Sequence, residues 1–211
     1  MSEMPQAQTP LVEIDMARDR LTAAEQAGVV LAERGDYRHH NLRGDASDAI
    51  FSEAIKTVLG VDLPALNRFT SGEGHTLLGL GPDEWLWMTS AENADAAVAA
   101  LDAALVKTFA TLTDLSSAQT VIEVQGPHAG DVLGKGTPFD LHAREFPPGT
   151  CTQSVLAKAA VVIQRIDAAA FHVIVRRSFA DYLWRWLEDA ASEYGCRIEA
   201  AERRQNRAGT S

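Results

Sequence analysis

The sequence predicts an α+β fold built from two copies of one β-β-α-β-β-α unit. Short apolar runs bounded by turn residues come in pairs, and each pair is followed by an amphipathic helical stretch. The order strand, strand, helix, strand, strand, helix then occurs twice along the chain. Leu80 and Trp85 of one hairpin correspond to Ile166 and Phe171 of another, both 86 positions apart. The missing βαβα alternation argues against a dinucleotide-binding Rossmann domain.

Residues 1–27 are polar and acidic, with Pro5 and Pro10, and are expected to form an extended arm held by a partner. Gly28 to Ala32 reads as a strand, and Tyr37 to Leu42 is expected to pair with it across Arg34-Gly35-Asp36. Asp45 or Ser47 can cap a helix whose face is Phe51, Ala54, Ile55, Val58 and Leu59, and Gly60 ends it. Pro64 and Ser71-Gly72-Glu73-Gly74 mark a loop. His75 to Leu80 and Glu84 to Thr89 are strands joined by Gly81-Pro82-Asp83. Glu92 to Val106 is a helix whose alanines let it lie close to a sheet. These elements make the first half, residues 28–107.

The second half, residues 108–196, repeats the plan. Phe109 to Leu115 and Thr120 to Gln125 are strands, and Gly126-Pro127 opens a helix with Pro at its first position. A Pro-rich loop leads to a short strand, Ser154 to Leu156. The hairpin Ala160 to Ile166 with Phe171 to Arg176 follows. The last helix, Ser178 to Glu193, carries the stripe Phe179, Tyr182, Leu183, Trp186, Leu187 and Ala190. Residues 197–211 read as a tail.

Composition excludes several function classes. A formal charge of -10 repels phosphate backbones, so no nucleic-acid partner is expected. Arg203-Arg204 is the only basic pair in the tail and reads as solvated. No run approaches the roughly 20 apolar residues that span a bilayer. Met1 to Gln8 lacks signal-peptide order, which makes a cytoplasmic location the expectation. Cys151 and Cys196 have no metal spacing and are expected to be reduced thiols.

Motifs that carry chemistry are mostly missing. There is no G-x-G-x-x-G after a strand, no P-loop, no H-E-x-x-H, no C-x-x-C and no G-x-S-x-G. His39 and His40 are strand neighbours, so they point to opposite faces and cannot share one metal ion. His75, His128, His142 and His172 stand singly and are expected at the surface or hydrogen-bonded. Asp83-Glu84 sits in a turn, where two carboxylates have no reason to titrate apart. Gly126-Pro127 reads as helix initiation, not as an anion site. Trp85 and Trp87 share a strand face. Trp184 lies about 130° from the centre of the last helix's stripe at about 100° per residue, where it can anchor an interface or pack under the arm or a loop.

The segment Thr113 to Ala129 contains Asp114-Leu115-Ser116, an apolar strand over Val121 to Val124, and Gly126-Pro127-His128-Ala129. This series resembles the aminomethyltransferase-like folate-binding family. Leu80 to Trp87, Gly136 to His142 and Phe146 to Thr152 are more specifically similar to the gamma subunit of heterotetrameric sarcosine oxidase. The resemblance covers about residues 28 to 195. It implies a folate-binding-like fold and membership of a complex that oxidises sarcosine to glycine and hydrogen peroxide and passes the one-carbon unit to tetrahydrofolate. The implied partners are alpha, beta and delta subunits. FAD, FMN, NAD and tetrahydrofolate are implied on the larger subunits, and zinc on delta. The C-terminal barrel of full aminomethyltransferases and the K-G-C-Y-x-G-Q-E segment of related folate proteins are absent, which implies a non-catalytic structural chain. No catalytic, cofactor-binding or metal residue is assigned. The alternative is a free-standing tetrahydrofolate-binding module.

Overall fold

The computed structural model describes residues 9–11 and 27–199. Among these residues eleven strands form two sheets, and four α-helices cover them. In chain order the elements are β1 (Val29–Glu33), β2 (Tyr37–Arg43), α1 (Ala49–Leu59), β3 (Phe69–Gly72), β4 (His75–Gly81), β5 (Glu84–Ser90) and α2 (Ala91–Leu105). Then come β6 (Thr111–Asp114), β7 (Gln119–Gln125), α3 (Ala129–Gly134), β8 (Thr150–Leu156), β9 (Ala159–Arg165), β10 (Ala170–Arg176), α4 (Arg177–Ala191) and β11 (Cys196–Glu199). A strand stands before each hairpin: β3 was not expected, and β8 extends the expected short strand Ser154 to Leu156 back to Thr150, so each unit reads β-β-α-β-β-β-α.

The sheets pack face to face with helices outside. Leu78, Leu86 and Met88 of one sheet meet Val121, Val162 and Ile174 of the other. Leu42, Leu77, Trp85 and Trp87 turn outward beneath α1 and α2. Ile122, Val124, Ile163, Phe171 and Val173 do the same beneath α3 and α4. Alternation along β5 and β10 thus buries both faces.

The first strand of each repeat crosses into the other repeat's sheet. The five-stranded sheet runs β3-β4-β5-β2-β6, and the six-stranded sheet runs β8-β9-β10-β7-β1-β11. The expected hairpin between the first two strands is therefore not formed. β1 pairs with β7 while β2 pairs with β5 and β6. Residues 34–36 carry the chain between layers, because each strand finds its apolar partners in a different sheet.

This exchange gives the molecule a pseudo-twofold axis that can be read from hydrogen bonds. Phe69 N donates to Gly149 O, and Cys151 N to Asn67 O, with each pair of equivalents 82 positions apart. Arg68 and Thr150 bridge on the axis itself. Asn67 N to Gly79 O is matched by Gly149 N to Arg165 O. At the other end, Arg34 N donates to Val121 O and Leu115 N to His39 O.

Other expectations are corrected. Asp48, not Asp45 or Ser47, caps α1 by accepting from Ile50 N at 2.8 Å, and Asp45 instead forms a turn with Ser47. Gly60 closes α1 at φ 67°, as expected. The turn chemistry of Ser71-Gly72-Glu73-Gly74 closes a hairpin between β4 and β3, a strand that the loop reading of this region does not include, with Glu73 and Gly74 both at positive φ. Pro127 lies outside α3, which starts at Ala129. β11 runs past the boundary expected after residue 196 and pairs in parallel with β1. Of the arm, Thr9–Leu11 and Ala27 are described, and Leu11 is buried in the core cluster that α3 and α4 cover; residues 1–8 and 12–26 and Arg203-Arg204 lie outside the described residues.

Trp184 is not off the core face. It is 2% exposed, whereas Phe179 and Tyr182 are 41% and 38% exposed. The buried seam of α4 is Ala180, Leu183, Trp184, Leu187, Ala190 and Ala191. Three alanines let the helix backbone approach the sheet, so the seam centres on them and the bulkier aromatics stand at the rim.

Candidate functional site

The two inter-sheet crossovers lie side by side on the pseudo-twofold axis and frame a cleft of about 260 Å³. Equivalent positions line it from both repeats: Tyr37 and Gln119, Arg38 and Thr120, Ala91 and Arg177. Ala91 N donates to Asp36 O in one repeat and Arg177 N to Ala118 O in the other. The first turns of α2 and α4 thus sit at the cleft with these amides already engaged.

The D-L-S motif builds one wall. Asp114 Oδ1 accepts from Ser116 N at 2.8 Å, Leu115 N donates to His39 O at 2.7 Å, and Ser116 Oγ accepts from His39 N at 3.1 Å. The G-P-x-A motif is structural as well. Gly126 has φ 119°, and a side chain there would overlap Gly28 O. Its N–H binds Ala169 O, as Gly44 N binds Asp83 O in the first repeat.

His39 is the unusual group in the cleft. It is 1% exposed, and neither ring nitrogen has a hydrogen-bond partner among the described residues. Burial, with His40 next to it, lowers its pKa from 6.5 to about 4, so the ring is neutral at pH 7. Nearby, Tyr37 and His172 meet edge to face at 6.1 Å, and Arg34 pairs with Glu123 beside them. Arg38, Arg177 and Asp36 supply charge at the mouth. The arrangement can hold a small polar molecule by hydrogen bonds. Among the described residues that line it, no side-chain nucleophile is hydrogen-bonded to a side-chain base that also lines it.

The other residues singled out by sequence are dispersed. His40 points opposite to His39, as its strand position requires, and stacks on Trp87 at 4.6 Å. His75 is buried and bonded to Thr89 Oγ1 at 2.9 Å, and His128 pairs with Asp131 at 2.9 Å. No group of three metal-ligating side chains occurs among the described residues. Asp83 and Glu84 are both held by Arg43, at 2.9 and 3.1 Å. Trp85 donates to Pro64 O at 3.0 Å under α1. Burial pushes the Cys151 thiol up to about 12 and that of Cys196 up to about 11, so neither is a ready nucleophile. The sequence marked only part of the cleft, the Asp114-Leu115-Ser116 motif that builds one wall, because the other walls come from residues about 80 positions apart. A second available signal was His39, at an inward strand position next to Arg38.

A sequence model described as the sarcosine oxidase, gamma subunit family, matches residues 43–193. The chain belongs to this family. The sarcosine oxidase subunit gamma of Corynebacterium sp. (strain U-96) is 36% identical over 143 residues, which is 67% of this chain and 69% of that protein. The gamma-subunit resemblance read from sequence is therefore borne out. A solved heterotetrameric sarcosine oxidase from Corynebacterium sp. U-96, in complex with pyrrole 2-carboxylate, contains a chain that superposes with TM-score 0.79 at 29% identity. The match covers 89% of this chain and 96% of that one. Aminomethyltransferase T of the glycine cleavage system from Bartonella henselae matches with TM-score 0.65 at 17% identity, over 91% of this chain and 58% of that one. It shows the shared fold, consistent with the folate-binding-like architecture. None of the described helices is long and apolar enough to cross a membrane.

Proposed function

We infer that this chain is a non-catalytic assembly subunit of a heterotetrameric sarcosine oxidase. The observation that supports this most is a gamma-family fold that leaves large aromatics outside its own core, with Phe109 fully exposed and Phe179 and Tyr182 standing at the rim of α4. On this reading the partners are the alpha, beta and delta subunits. FAD, FMN, NAD and tetrahydrofolate reside on the larger subunits and zinc on delta. The complex demethylates sarcosine oxidatively and hands the one-carbon unit to tetrahydrofolate. Residues 28–196, in halves of 28–107 and 108–196 and lengthened by β11, act as one domain, and the location is cytoplasmic.

Co-expression of a tagged copy with the other subunits tests the reading. The eluate is expected to carry the partners and the absorbance of flavin. A tagged chain that elutes alone and colourless contradicts it.

A second reading, a free-standing tetrahydrofolate-binding module, is favoured by one observation: the axial cleft with the unpartnered ring of His39. The residues at its mouth suit an anion, since Arg38 and Arg177 line it and attract a carboxylate. Calorimetric titration of the isolated chain with tetrahydrofolate decides it. No heat and no change in Trp fluorescence removes this reading.

A further inference from the structure

We propose that the outer edge of β6 is a strand-addition site, taken up in the assembly by an extended segment of a partner subunit running parallel to β6. The proposal rests on the assembly reading above and names where one partner attaches.

Internal symmetry carries the argument. β1 and β6 are equivalents, each paired antiparallel to the second strand of the other repeat. Beyond β1 the six-stranded sheet continues with β11, parallel to it, with Leu31 opposite Ile198. Beyond β6 the five-stranded sheet stops. The same slot is therefore filled in one half and open in the other among the described residues.

The open slot has free backbone groups. Leu115 N bonds to His39 O, which continues the ladder, so Thr113 and Thr111 point their backbone groups at β2. Leu112 and Asp114 then present N–H and C=O outward. Their equivalents on β1, Leu31 and Glu33, face β11, and Val29 N on the same edge donates to Gly195 O at 3.1 Å.

An open edge in a monomer is usually blunted by Pro, Lys or a bulge. The strand Thr-Leu-Thr-Asp has no Pro, Lys or bulge; its only blunting features are its length of four residues and the charge of Asp114. Instead Phe109 lies just before it, fully exposed, with Val106 78% exposed beside it in sequence. A strand edge next to an uncovered aromatic is the arrangement used for strand addition, where main-chain bonds hold the segment and a side chain anchors it.

Two other occupants fit less well. Leu11 packs in the core of the six-stranded sheet, and Ala27 and Glu199 adjoin β1 and end β11, so these described ends of the chain all lie at the opposite sheet. Pairing with a second copy would bring together two chains of formal charge -10.

The test uses the co-expressed complex and three variants of the full chain. Asp114→Pro deletes an outward donor, Phe109→Lys removes the anchor, and Asp114→Asn keeps both and serves as control. Circular dichroism and thermal melts report folding. Phe109→Lys alters a side chain with no contact to lose in the isolated chain, so it remains informative if Asp114→Pro does not fold. At least a tenfold loss of partner recovery is expected for Asp114→Pro and Phe109→Lys, with Asp114→Asn unchanged. Hydrogen exchange at Leu112 and Asp114 is expected to slow at least tenfold in the wild-type complex relative to the free chain. If wild type recovers no partner, the assembly reading itself falls. If wild type recovers partners but Phe109→Lys recovers them equally and exchange at β6 is unchanged, this inference falls. Concentration-dependent dimerisation of the free chain that Phe109→Lys abolishes would also overturn it, in favour of a second copy.

Discussion

Gly79 and Arg165 occupy the same place in the two repeats, yet one is the smallest residue and the other nearly the largest. Each accepts the matching backbone bond, from Asn67 N and from Gly149 N. In the first repeat α1 is 11 residues long, and the chain that follows runs so close that a side chain at Gly79 would overlap Ala65 O. In the second, α3 has only 6 residues and a longer loop, 135–149, stands away from the sheet. Arg165 fills that gap. It donates to Leu141 O, Phe146 O, Asp167 O and Ala168 O at 2.7–3.1 Å and lies over Phe171 at 5.1 Å. Duplication kept the backbone network at the axis, while side-chain volume followed the gap each loop leaves.

The comparison breaks most severely at Arg165. Arg165→Ala strands several buried carbonyls at once and is expected to cost about 3–5 kcal/mol. Urea denaturation measures it, and a loss below 1 kcal/mol would mean that the loop is held by something else. Gly79→Ala, at the equivalent place, is expected to cost about 2–3 kcal/mol through overlap with the Ala65 carbonyl. The two penalties have opposite causes, so enlarging one site and shrinking the other both destabilise.

His39 and Val121 form a second unequal pair across the axis. His39 has its pKa lowered to about 4 by burial, and burial also lowers those of His40, His75 and His172. Asp114 opposes the shift at His39. The unfolded chain binds protons near pH 6.5 while the folded rings stay neutral. Stability is therefore whole above pH 6.5 and falls as pH drops toward 4. His39 alone accounts for on the order of 2–3 kcal/mol across that window. Urea midpoints between pH 7.5 and 5 measure the slope, and His39→Leu should flatten it. An unchanged slope would place the titration elsewhere. The smallest effect is Asp48→Ala, which removes the α1 cap and should cost about 1 kcal/mol; α3 has no side-chain cap to lose.

The duplicated order was legible because Leu80/Trp85 and Ile166/Phe171 sit in hairpins of identical spacing, and turn chemistry fixed their ends. The exchange of β1 and β6 between sheets was not. Local pattern says that Val29–Glu33 and Tyr37–Arg43 are strands, but their partners lie some 40 to 95 positions away. β11 was missed because Cys-Arg-Ile-Glu is half buried on an outer edge and carries little alternation. On α4 aromatic bulk outweighed the alanines that mark the close-packed seam. Apart from the Asp114-Leu115-Ser116 wall, the cleft was invisible for the same reason as the exchange, since Tyr37 and Gln119 meet only once the repeats are folded together.

On the assembly reading proposed above, this chain holds other subunits together and leaves the chemistry to them. Sarcosine turnover per bound flavin, measured in the assembled complex with His39→Leu and Arg38→Ala combined in this chain, tests that most directly. Turnover within twofold of wild type at full flavin content is the predicted result. A loss of tenfold or more in a fully assembled, fully flavinated complex would mean that the cleft takes part in the reaction.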